Sequence, residues 1–242
     1  MKSIEVVELN KQYKDVSAVS NLSFSVEEGE LYSLLGINGA GKTTTINMLC
    51  GLSKPTSGKA FIMGMDTVKE KEIISSLINI SPQETAIAPR LSVLENLCFM
   101  GKVYGLKDND CKIATEKLLS KLGLEDVKNK RSELLSGGMK RRLSIAMALI
   151  SSPKVLFLDE PTLGLDVLAR RELWKIIQGL KGKMTIILTT HYMEEAEALS
   201  DRVGIMAKGK LIAEGSPSML MERTKKNSLE EAFVALISGD TL

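Results

Sequence analysis

The stretch Gly36-Ile37-Asn38-Gly39-Ala40-Gly41-Lys42-Thr43-Thr44 follows a short apolar run, residues 31–35. It fits the pattern G-x-x-x-x-G-K-[ST] of loops that hold phosphate groups with backbone N–H groups. Glycines let such a loop adopt positive φ and approach a polyphosphate closely. A helix that begins at the loop directs its N-terminal N–H groups and positive dipole end at the anion. The stretch therefore predicts a strand, a phosphate loop and a helix that together bind a nucleotide.

Two side chains of this loop have the chemistry that a nucleotide needs. Lys42 supplies a positive charge for the terminal phosphates, and the hydroxyl of Thr43 is placed to bind Mg²⁺. The alternative interpretation is a flexible glycine loop between a strand and a helix. The apolar run before the loop favours the nucleotide site, because the motif requires a strand at that place.

The bulk composition is that of an ordinary globular protein. The 242 residues are 44% hydrophobic and 26% charged, which suits one large domain or a core with one inserted lobe. The formal net charge of +2 gives no indication of nucleic acid binding, for which a strongly basic face is expected. Cys50, Cys98 and Cys111 are odd in number and form no C-x-x-C pair, so we expect reduced thiols in an intracellular compartment. We expect no spanning helix, since no apolar run reaches about 18 residues, and no signal peptide, since Met1-Lys2-Ser3-Ile4-Glu5 does not open one.

Apolar periodicity divides the chain into an α/β core and a helical insertion. We predict the core over residues 1–83 and 153–215, a helical lobe over 84–152 and a short helical tail over 216–242. The predicted strands span residues 4–9, 17–26, 31–35, 59–63, 77–81, 155–158, 184–189, 202–206 and 211–214. The predicted helices span residues 42–50, 92–104, 110–122, 137–150, 166–180 and 228–237, with another that starts at 216. Ser92-Val93-Leu94-Glu95 is typical of a capping box.

An acidic pair, Asp159 and Glu160, follows the apolar strand of residues 155–158. Ligands of open α/β sheets bind outside the carboxyl ends of the strands. Two adjacent carboxylates there are costly without a cation, so we predict Mg²⁺ near Asp159. Glu160 would then orient and polarise the attacking water for hydrolysis. The alternative is an acidic pair that caps the next helix.

A second anion-binding arrangement is predicted at Leu135-Ser136-Gly137-Gly138-Met139, where a serine and two glycines open a helix. The alternative is an ordinary N-cap followed by a basic, solvated first turn, Lys140-Arg141-Arg142. Three other residues are ambiguous by position alone. Gln83 and His191, the only histidine, each follow a predicted strand, and Tyr13 lies in a predicted polar turn.

Taken in this order, these segments resemble the ATPase subunit of an ATP-binding cassette (ABC) transporter over nearly the whole chain. The motifs that carry the resemblance are the Walker A loop at 36–43, the Walker B strand at 155–160, the signature at 135–139 and the D-loop at 163–166. Gln83 is similar to the Q-loop glutamine of that family, and His191 to its switch histidine. Tyr13 falls where the family stacks an aromatic ring on adenine.

This resemblance implies an α/β fold, with a P-loop NTPase core of mixed and parallel sheet, an antiparallel strand region and an inserted helical lobe. It implies ATP and Mg²⁺ as cofactors and a head-to-tail homodimer that encloses two ATP molecules. It also implies a separate membrane permease, whose cytoplasmic helix would dock on the helical lobe hinged through Gln83. The chain would then lie at the cytoplasmic face of the membrane. No nucleic acid partner is expected.

The resemblance also implies a role for each site residue. The implied catalytic residues are Glu160, His191 and Gln83, and the implied Mg²⁺ ligands are Thr43, Gln83 and Asp159. The implied ATP-binding residues are Tyr13, Gly36, Ile37, Asn38, Gly39, Ala40, Gly41, Lys42, Thr43, Thr44, Ser136, Gly137, Gly138 and Asp166, of which 136–138 act on the opposite subunit. Two residues depart from the family pattern: Met139 replaces the usual glutamine of the signature, and Leu163 replaces a small or polar residue of the D-loop.

The segment of residues 189–197 and the short ending around residues 229–233 resemble the drug- and sodium-efflux branch, so an exporter ATPase is the leading interpretation. An importer ATPase shares every catalytic motif, although the short tail without a regulatory domain argues against it. A soluble ABC ATPase that serves translation, DNA repair or cluster assembly is the second alternative. Those that serve translation or repair usually carry two cassettes or long coiled-coil insertions. An unrelated P-loop kinase or GTPase would lack the Ser-Gly-Gly signature, and the guanine-reading Asn-Lys-x-Asp motif is absent.

Overall fold

The computed structural model describes residues 1–238. Its strands in that range are β1 (Lys2–Tyr13), β2 (Val16–Glu27), β3 (Leu31–Leu35), β4 (Ser57–Ile62), β5 (Met65–Asp66), β6 (Ile78–Ser81), β7 (Val155–Asp159), β8 (Thr185–Thr190), β9 (Arg202–Ala207) and β10 (Lys210–Gly215). Its α-helices are α1 (Lys42–Leu49), α2 (Lys71–Ser75), α3 (Val93–Val103), α4 (Asp108–Lys121), α5 (Gly137–Leu149), α6 (Val167–Gln178), α7 (Met193–Leu199), α8 (Pro217–Thr224) and α9 (Leu229–Ser238). None of these helices combines the length and the apolar character that crossing a bilayer requires.

The chain folds into two compact units. Met1–Ser75 and the chain from Lys181 onwards form the first unit, and Ser76–Leu180 form the second. The predicted helical lobe, residues 84–152, lies within the second unit. Its boundaries with the core stay a prediction.

One part of the first unit is an antiparallel sheet with the strand order β2-β1-β4-β5. Ile4 lies opposite Val26, and Val6 lies opposite Phe24, where β1 pairs with β2. All four side chains are buried. Because alternate residues of a strand point to opposite faces, these apolar positions line one face of the sheet and cover the core there.

The other part of the first unit is a sheet in which β10, β9, β3 and β8 are neighbours in that order. β3 runs parallel to β8 and to β9, with Leu35 opposite both Thr190 and Ile205. Every residue of β3 and β8 is buried, which explains the apolar runs without alternation in their sequences. The carboxyl end of β3 is thus held between two parallel neighbours, and the phosphate loop leaves the sheet at that end.

The C-terminal helices belong to the core of the first unit. Leu229 and Phe233 of α9 are buried in one apolar cluster with Leu35 of β3 and Ile205 of β9. α8 begins at the N-cap Ser216, whose hydroxyl accepts a hydrogen bond from the Met219 amide at 3.2 Å. Residues 239–242 of the predicted tail lie outside the described residues.

The second unit contains the parallel strands β6 and β7 and the helices α3 to α6. The predicted capping box is confirmed at the start of α3. The Glu95 amide donates to the Ser92 hydroxyl at 3.2 Å, and the Glu95 carboxylate accepts from the Ser92 amide at 2.7 Å. Local sequence therefore determines where this helix begins.

A buried asparagine, Asn96 of α3, ties together three segments of the second unit. Its Oδ1 accepts from the Ala88 amide at 2.9 Å. Its Nδ2 donates to the Ser92 carbonyl at 3.0 Å and to the Ser132 hydroxyl at 2.9 Å. Because a buried amide is costly unless its hydrogen bonds are satisfied, these bonds specify one path for the chain on both sides of α3.

The predicted fold class, α/β with an antiparallel strand region and inserted helices, is confirmed. The strand β5 and the α-helices α2 and α7 are not in the prediction, and neither are two 3-10 helices, Glu125–Val127 and Ser132–Leu134. β5 has two residues and α2 has five, too few for either period to show. Tyr13, predicted in a polar turn, is instead the last residue of β1. None of the three cysteines forms a disulfide in the described residues, and their reduced, intracellular state stays a prediction.

We expect Asn96→Ala to lower the free energy of unfolding by about 2–4 kcal/mol, because it removes several hydrogen bonds and leaves their buried partners unsatisfied. Asn129→Ala, at an exposed position of the same unit, is the control and should change it by less than about 0.5 kcal/mol. Calorimetric unfolding of both variants measures the difference. Equal stabilities for the two variants would contradict the role given to Asn96.

Candidate active site

The residues predicted to bind or hydrolyse a nucleotide divide between the two units. The first unit contains Tyr13, the loop of residues 36–44 and His191. The second unit contains Gln83, residues 136–138, Asp159, Glu160 and Asp166.

The phosphate loop connects β3 to α1 and passes close to other backbone segments. A Cβ on Gly41 would lie 2.5 Å from the Ala18 carbonyl oxygen, and one on Gly36 would lie 2.5 Å from that of Met206. Gly41 also has φ of 101°, in the left-handed region that favours glycine. Gly36 and Gly41, the two glycines that the motif specifies, are therefore needed for the fold of the loop itself.

The loop encloses the lysine of the motif. Lys42 is 5% exposed. Its ammonium donates hydrogen bonds to the carbonyls of Gly36 at 2.7 Å and Ile37 at 3.3 Å. The turn is closed by the Ala40 amide, which donates to the Ile37 carbonyl at 3.1 Å. The ammonium of Lys42 is thus surrounded by the backbone of the loop, at the place where the loop would bind an anion.

The start of α1 lies beside this charge. The first intrahelical bond is donated by the Thr45 amide to the Gly41 carbonyl at 2.9 Å. The amides of Lys42, Thr43 and Thr44 precede it, in the turn where helix geometry provides N–H groups for an external acceptor. Ile37, Asn38, Gly39 and Thr43 are exposed on the rim of the loop. The loop therefore has the shape, the dipole and the charge of a phosphate site.

His191 lies next to the phosphate loop in the first unit. The Gly36 amide donates to the carbonyl of Thr190, the last residue of β8, at 3.2 Å. Parallel pairing of β3 and β8 thus brings the residue after each strand to the same edge of the sheet. The half-buried His191 ring contacts that of Tyr192, with centroids 4.2 Å apart.

Tyr13 ends β1 and is 46% exposed. The Lys11 ammonium lies 4.7 Å from the centroid of its ring, and its hydroxyl lies 3.3 Å from the Ser53 hydroxyl. An exposed aromatic ring beside a cation offers a surface on which a purine can stack. Adenine stacking on Tyr13 stays a prediction.

In the second unit, Asp159 and Glu160 are both buried where β7 ends. Glu160 has φ of 46°, which is uncommon for a residue other than glycine. Such backbone costs about 1–3 kcal/mol and persists where the surroundings hold it in place. Its carbonyl is held by two donors, the Leu163 amide at 3.2 Å and the Arg141 guanidinium at 3.1 Å.

Ser136 is the N-cap of α5, as the sequence predicts. Its hydroxyl accepts a hydrogen bond from the Met139 amide at 3.2 Å. Ser136 and Gly137 are exposed at the start of the helix. Because Met139 contributes its backbone to this cap, the departure from the usual glutamine leaves the cap intact. The hydroxyl and the first-turn amides form a second helix start suited to an anion.

Asp166 and Gln83 have different surroundings from the acidic pair. Asp166 is the N-cap of α6, where its Oδ1 accepts from the amides of Leu168 and Ala169, both at 2.9 Å. Gln83 follows β6 with an exposed side chain, and its carbonyl accepts from the Arg141 guanidinium at 2.8 Å. The backbone of Gln83 is therefore fixed while its side chain faces solvent.

Arg141 is the residue that the sequence analysis missed. The alternative interpretation of residues 135–139 placed Arg141 in a solvated first turn, and for Arg141 that alternative is wrong, since its side chain is 4% exposed. Helical spacing places it on the face of α5 that also carries Ile145 and Ala148, both buried. An arginine in line with an apolar face was the signal that indicated its burial.

Known proteins resemble this chain over most of its length. A family model described as ABC transporter matches residues 19–163, more than half of the chain. Human phospholipid-transporting ATPase ABCA3 is 44% identical over 224 residues, which are 91% of this chain and 13% of ABCA3. The probable multidrug ABC transporter ATP-binding protein YbhF of Escherichia coli strain K12 is 39% identical over 240 residues, which are 97% of this chain and 41% of YbhF. The chain thus spans less than half the length of these curated relatives.

Solved structures give the same result. An ATP-binding subunit of an ABC transporter has a TM-score of 0.86 at 30% identity, over 97% of this chain and 99% of that one. The ATP-binding cassette MJ0796, a dimer in a post-hydrolysis state with ADP and phosphate, has a TM-score of 0.80 at 25% identity, over 88% of this chain and 98% of that one. The chain belongs to the ABC transporter family. It is an ATPase domain of that family and binds ATP.

The donor set predicted for Mg²⁺ fits that ion. It consists of the hydroxyl of Thr43, the amide oxygen of Gln83 and the carboxylate of Asp159, all of them oxygen donors. Mg²⁺ in nucleotide sites takes a few protein oxygens and completes its shell with phosphates and water. A buried carboxylate such as Asp159, 3% exposed, is also more stable beside a cation.

We expect Gly41→Ala to weaken ATP binding about five- to a hundredfold, since its methyl group would meet the Ala18 carbonyl and about 1–3 kcal/mol of strain would distort the loop. Gly39→Ala is the matched control: Gly39 also has positive φ, but its methyl group would meet nothing within 4 Å. Titration with ATP in a calorimeter measures both affinities. A loss for Gly39→Ala that equals the loss for Gly41→Ala would show that close backbone approach is not the reason for the glycine.

Proposed function

We propose that this chain is the ATP-hydrolysing subunit that powers an ABC exporter whose membrane permease is a separate chain. The observation that carries the proposal is that one ATPase domain has two helix starts suited to phosphate. One is the loop around Lys42 at α1, and the other is the exposed Ser136-Gly137 start of α5. A single nucleotide needs only one phosphate loop, so the second helix start suits a nucleotide held by another copy.

A head-to-tail homodimer uses both helix starts. ATP in the phosphate loop of one copy would be closed by Ser136, Gly137 and Gly138 of the other, and two ATP molecules would lie in the interface. Exposure of Ser136 and Gly137 in the single chain suits a surface that is covered only on dimerisation. The MJ0796 cassette, which is dimeric with ADP and phosphate, supports the same assembly here.

The proposed hydrolysis uses residues of both units. Lys42 holds the terminal phosphates, and Glu160 orients a water molecule and accepts its proton as the water oxygen attacks the γ-phosphorus. His191, beside the loop, contacts the γ-phosphate. Thr43, Gln83 and Asp159 would hold Mg²⁺, which neutralises phosphate charge when it is bound. The bond between the γ-phosphorus and the ADP oxygen then breaks, and ADP and phosphate are the products.

Hydrolysis would drive transport by changing the dimer. ATP bound by both copies favours the closed dimer, and loss of the γ-phosphate removes contacts that only ATP provides. The closing and opening would move a cytoplasmic helix of the permease that is docked on the helical lobe, residues 84–152. The chain would accordingly lie at the cytoplasmic face of the membrane, and the permease, not this chain, would contact the transported solute.

Two observations favour export over import. Residues 189–197 resemble the drug- and sodium-efflux branch, and α7 begins within them, two residues after His191. The relatives at 44% and 39% identity have names that specify phospholipid and multidrug transport.

We expect Glu160→Gln to bind ATP normally but to hydrolyse it at least about a hundredfold more slowly, because the amide cannot accept the proton of the attacking water. With Mg-ATP this variant should accumulate as a dimer, which light scattering detects. Glu116→Gln, an exposed substitution in α4, should behave as the wild-type chain does. A Glu160→Gln variant that stays monomeric with Mg-ATP would refute dimerisation by ATP alone.

Affinity purification of the tagged chain from gently solubilised membranes, followed by mass spectrometry, tests the transport role. We expect a polytopic membrane protein in stoichiometric amount. Recovery only from the soluble fraction, with ribosomal, DNA-repair or assembly proteins, would instead support the soluble ABC ATPase alternative. The ATPase chemistry would be unaffected by that result.

A further inference from the structure

One buried guanidinium, that of Arg141, joins three segments of the second unit that are predicted to act on ATP. Its Nη1 donates to the Pro82 carbonyl at 2.6 Å, and its Nη2 donates to the Gln83 carbonyl at 2.8 Å. Nη2 also donates to the Glu160 carbonyl at 3.1 Å. Arg141 itself lies in the first turns of α5, five residues after Ser136.

The geometry requires an arginine. All three acceptors are backbone carbonyls, so the contacts do not depend on the side chains at positions 82, 83 and 160. A guanidinium presents its donors in a fixed plane and can bind several carbonyls at once, whereas a lysine ammonium is a compact charge on a flexible stem. Glutamine would supply one amide group for the same three acceptors.

The hydrogen bond from Arg141 to Glu160 helps to hold the strained backbone of Glu160 in place. Glu160 is in the left-handed region with φ of 46°, and its carbonyl is one of the groups through which the surroundings hold it. Removing the Arg141 donor would leave the Leu163 amide on that carbonyl and would free the residue to relax toward ordinary backbone. The carboxylate of Glu160 would then turn away from its present direction.

We infer that Arg141 is a positioning residue for ATP hydrolysis. It links the signature helix α5 to the backbone of Gln83 and of Glu160, so that a nucleotide held at Ser136 and the groups that activate water share one rigid connection. The inference rests on the proposed role of Glu160 in hydrolysis. In this proposal Arg141 acts through the backbone segments that it holds.

The test compares Arg141→Met, which keeps the length but no donor, with Arg142→Met as the matched control on the same helix. The Arg142 guanidinium donates to the Leu122 carbonyl at 3.3 Å and lies 3.9 Å from the Glu172 carboxylate, whereas the Arg141 guanidinium binds the carbonyls of Pro82, Gln83 and Glu160. We expect Arg141→Met to lower kcat about tenfold or more while KM for Mg-ATP changes by less than about threefold, since misplacing a catalytic group impairs turnover without removing the phosphate loop. Arg142→Met should keep kcat within about twofold of the wild-type value.

A double-mutant cycle separates positioning from a general structural role. In the Glu160→Gln background, measured by single turnover of labelled ATP, Arg141→Met should cost much less than in the wild-type background, because the group that it positions is already gone. The same fold-loss in both backgrounds would overturn the inference. So would a kcat for Arg141→Met equal to that of the control.

Thermal melting shows whether Arg141→Met is folded. If it is not, Arg141→Lys, which keeps the positive charge, is the second variant that tests the inference. We expect Arg141→Lys to lower kcat about fivefold or more, and full turnover by this folded variant would refute the need for a guanidinium. Different results would contradict the proposed function and the positioning role of Arg141. Full turnover by Glu160→Gln contradicts the proposed function, whereas a dead Glu160→Gln together with a fully active Arg141→Met contradicts only the role of Arg141.

Discussion

The close packing of backbone around the loop between β3 and α1 is the constraint on which the first unit depends. A phosphate site built from N–H groups needs main chain, not side chains, at its surface. Gly36 and Gly41 meet the carbonyls of Met206 and Ala18 so closely that a methyl group would not fit at either position. The Gly209 amide also donates to the Ala40 carbonyl at 3.1 Å. Two distant stretches of sequence, around Ala18 and around residues 206–209, thus pack against one short loop and fix its shape.

Buried charge is the corresponding constraint in the second unit. Asp159, Glu160 and Arg141 are each less than 10% exposed, in a part of the chain where isolated charges would be unstable. The Arg141 guanidinium donates to the backbone carbonyls of Pro82, Gln83 and Glu160. The same bonds hold Glu160 in a strained conformation. One side chain thus contributes both to the packing of the second unit and to the backbone conformation of Glu160.

Most of the fold was predictable because its signals are local, and the predicted site residues rest on signals of the same kind. The phosphate loop, the Ser92 capping box and the Ser136 N-cap each depend on residues within about four positions of one another. The apolar runs of β3, β7 and β8 likewise have compositions that report burial on both faces. Short elements such as β5 and α7 were missed, since a few residues do not define a period.

The sequence by itself determined that the chain has a phosphate-loop motif, a serine-glycine helix start and an acidic pair after an apolar strand. Each of these features consists of residues that are adjacent in the sequence, so it is visible without the tertiary structure. Only the tertiary structure decided what lies around them. Parallel pairing of β3 with β8 places His191 beside Gly36, although they are far apart in sequence. One face of α5 is buried, and Arg141 lies on that face. Its guanidinium therefore donates to the backbone carbonyls of Gln83 and Glu160. Every residue has a backbone carbonyl, so the residue type of the acceptor gives no signal of such a hydrogen bond. The sequence of residue types therefore does not predict these bonds.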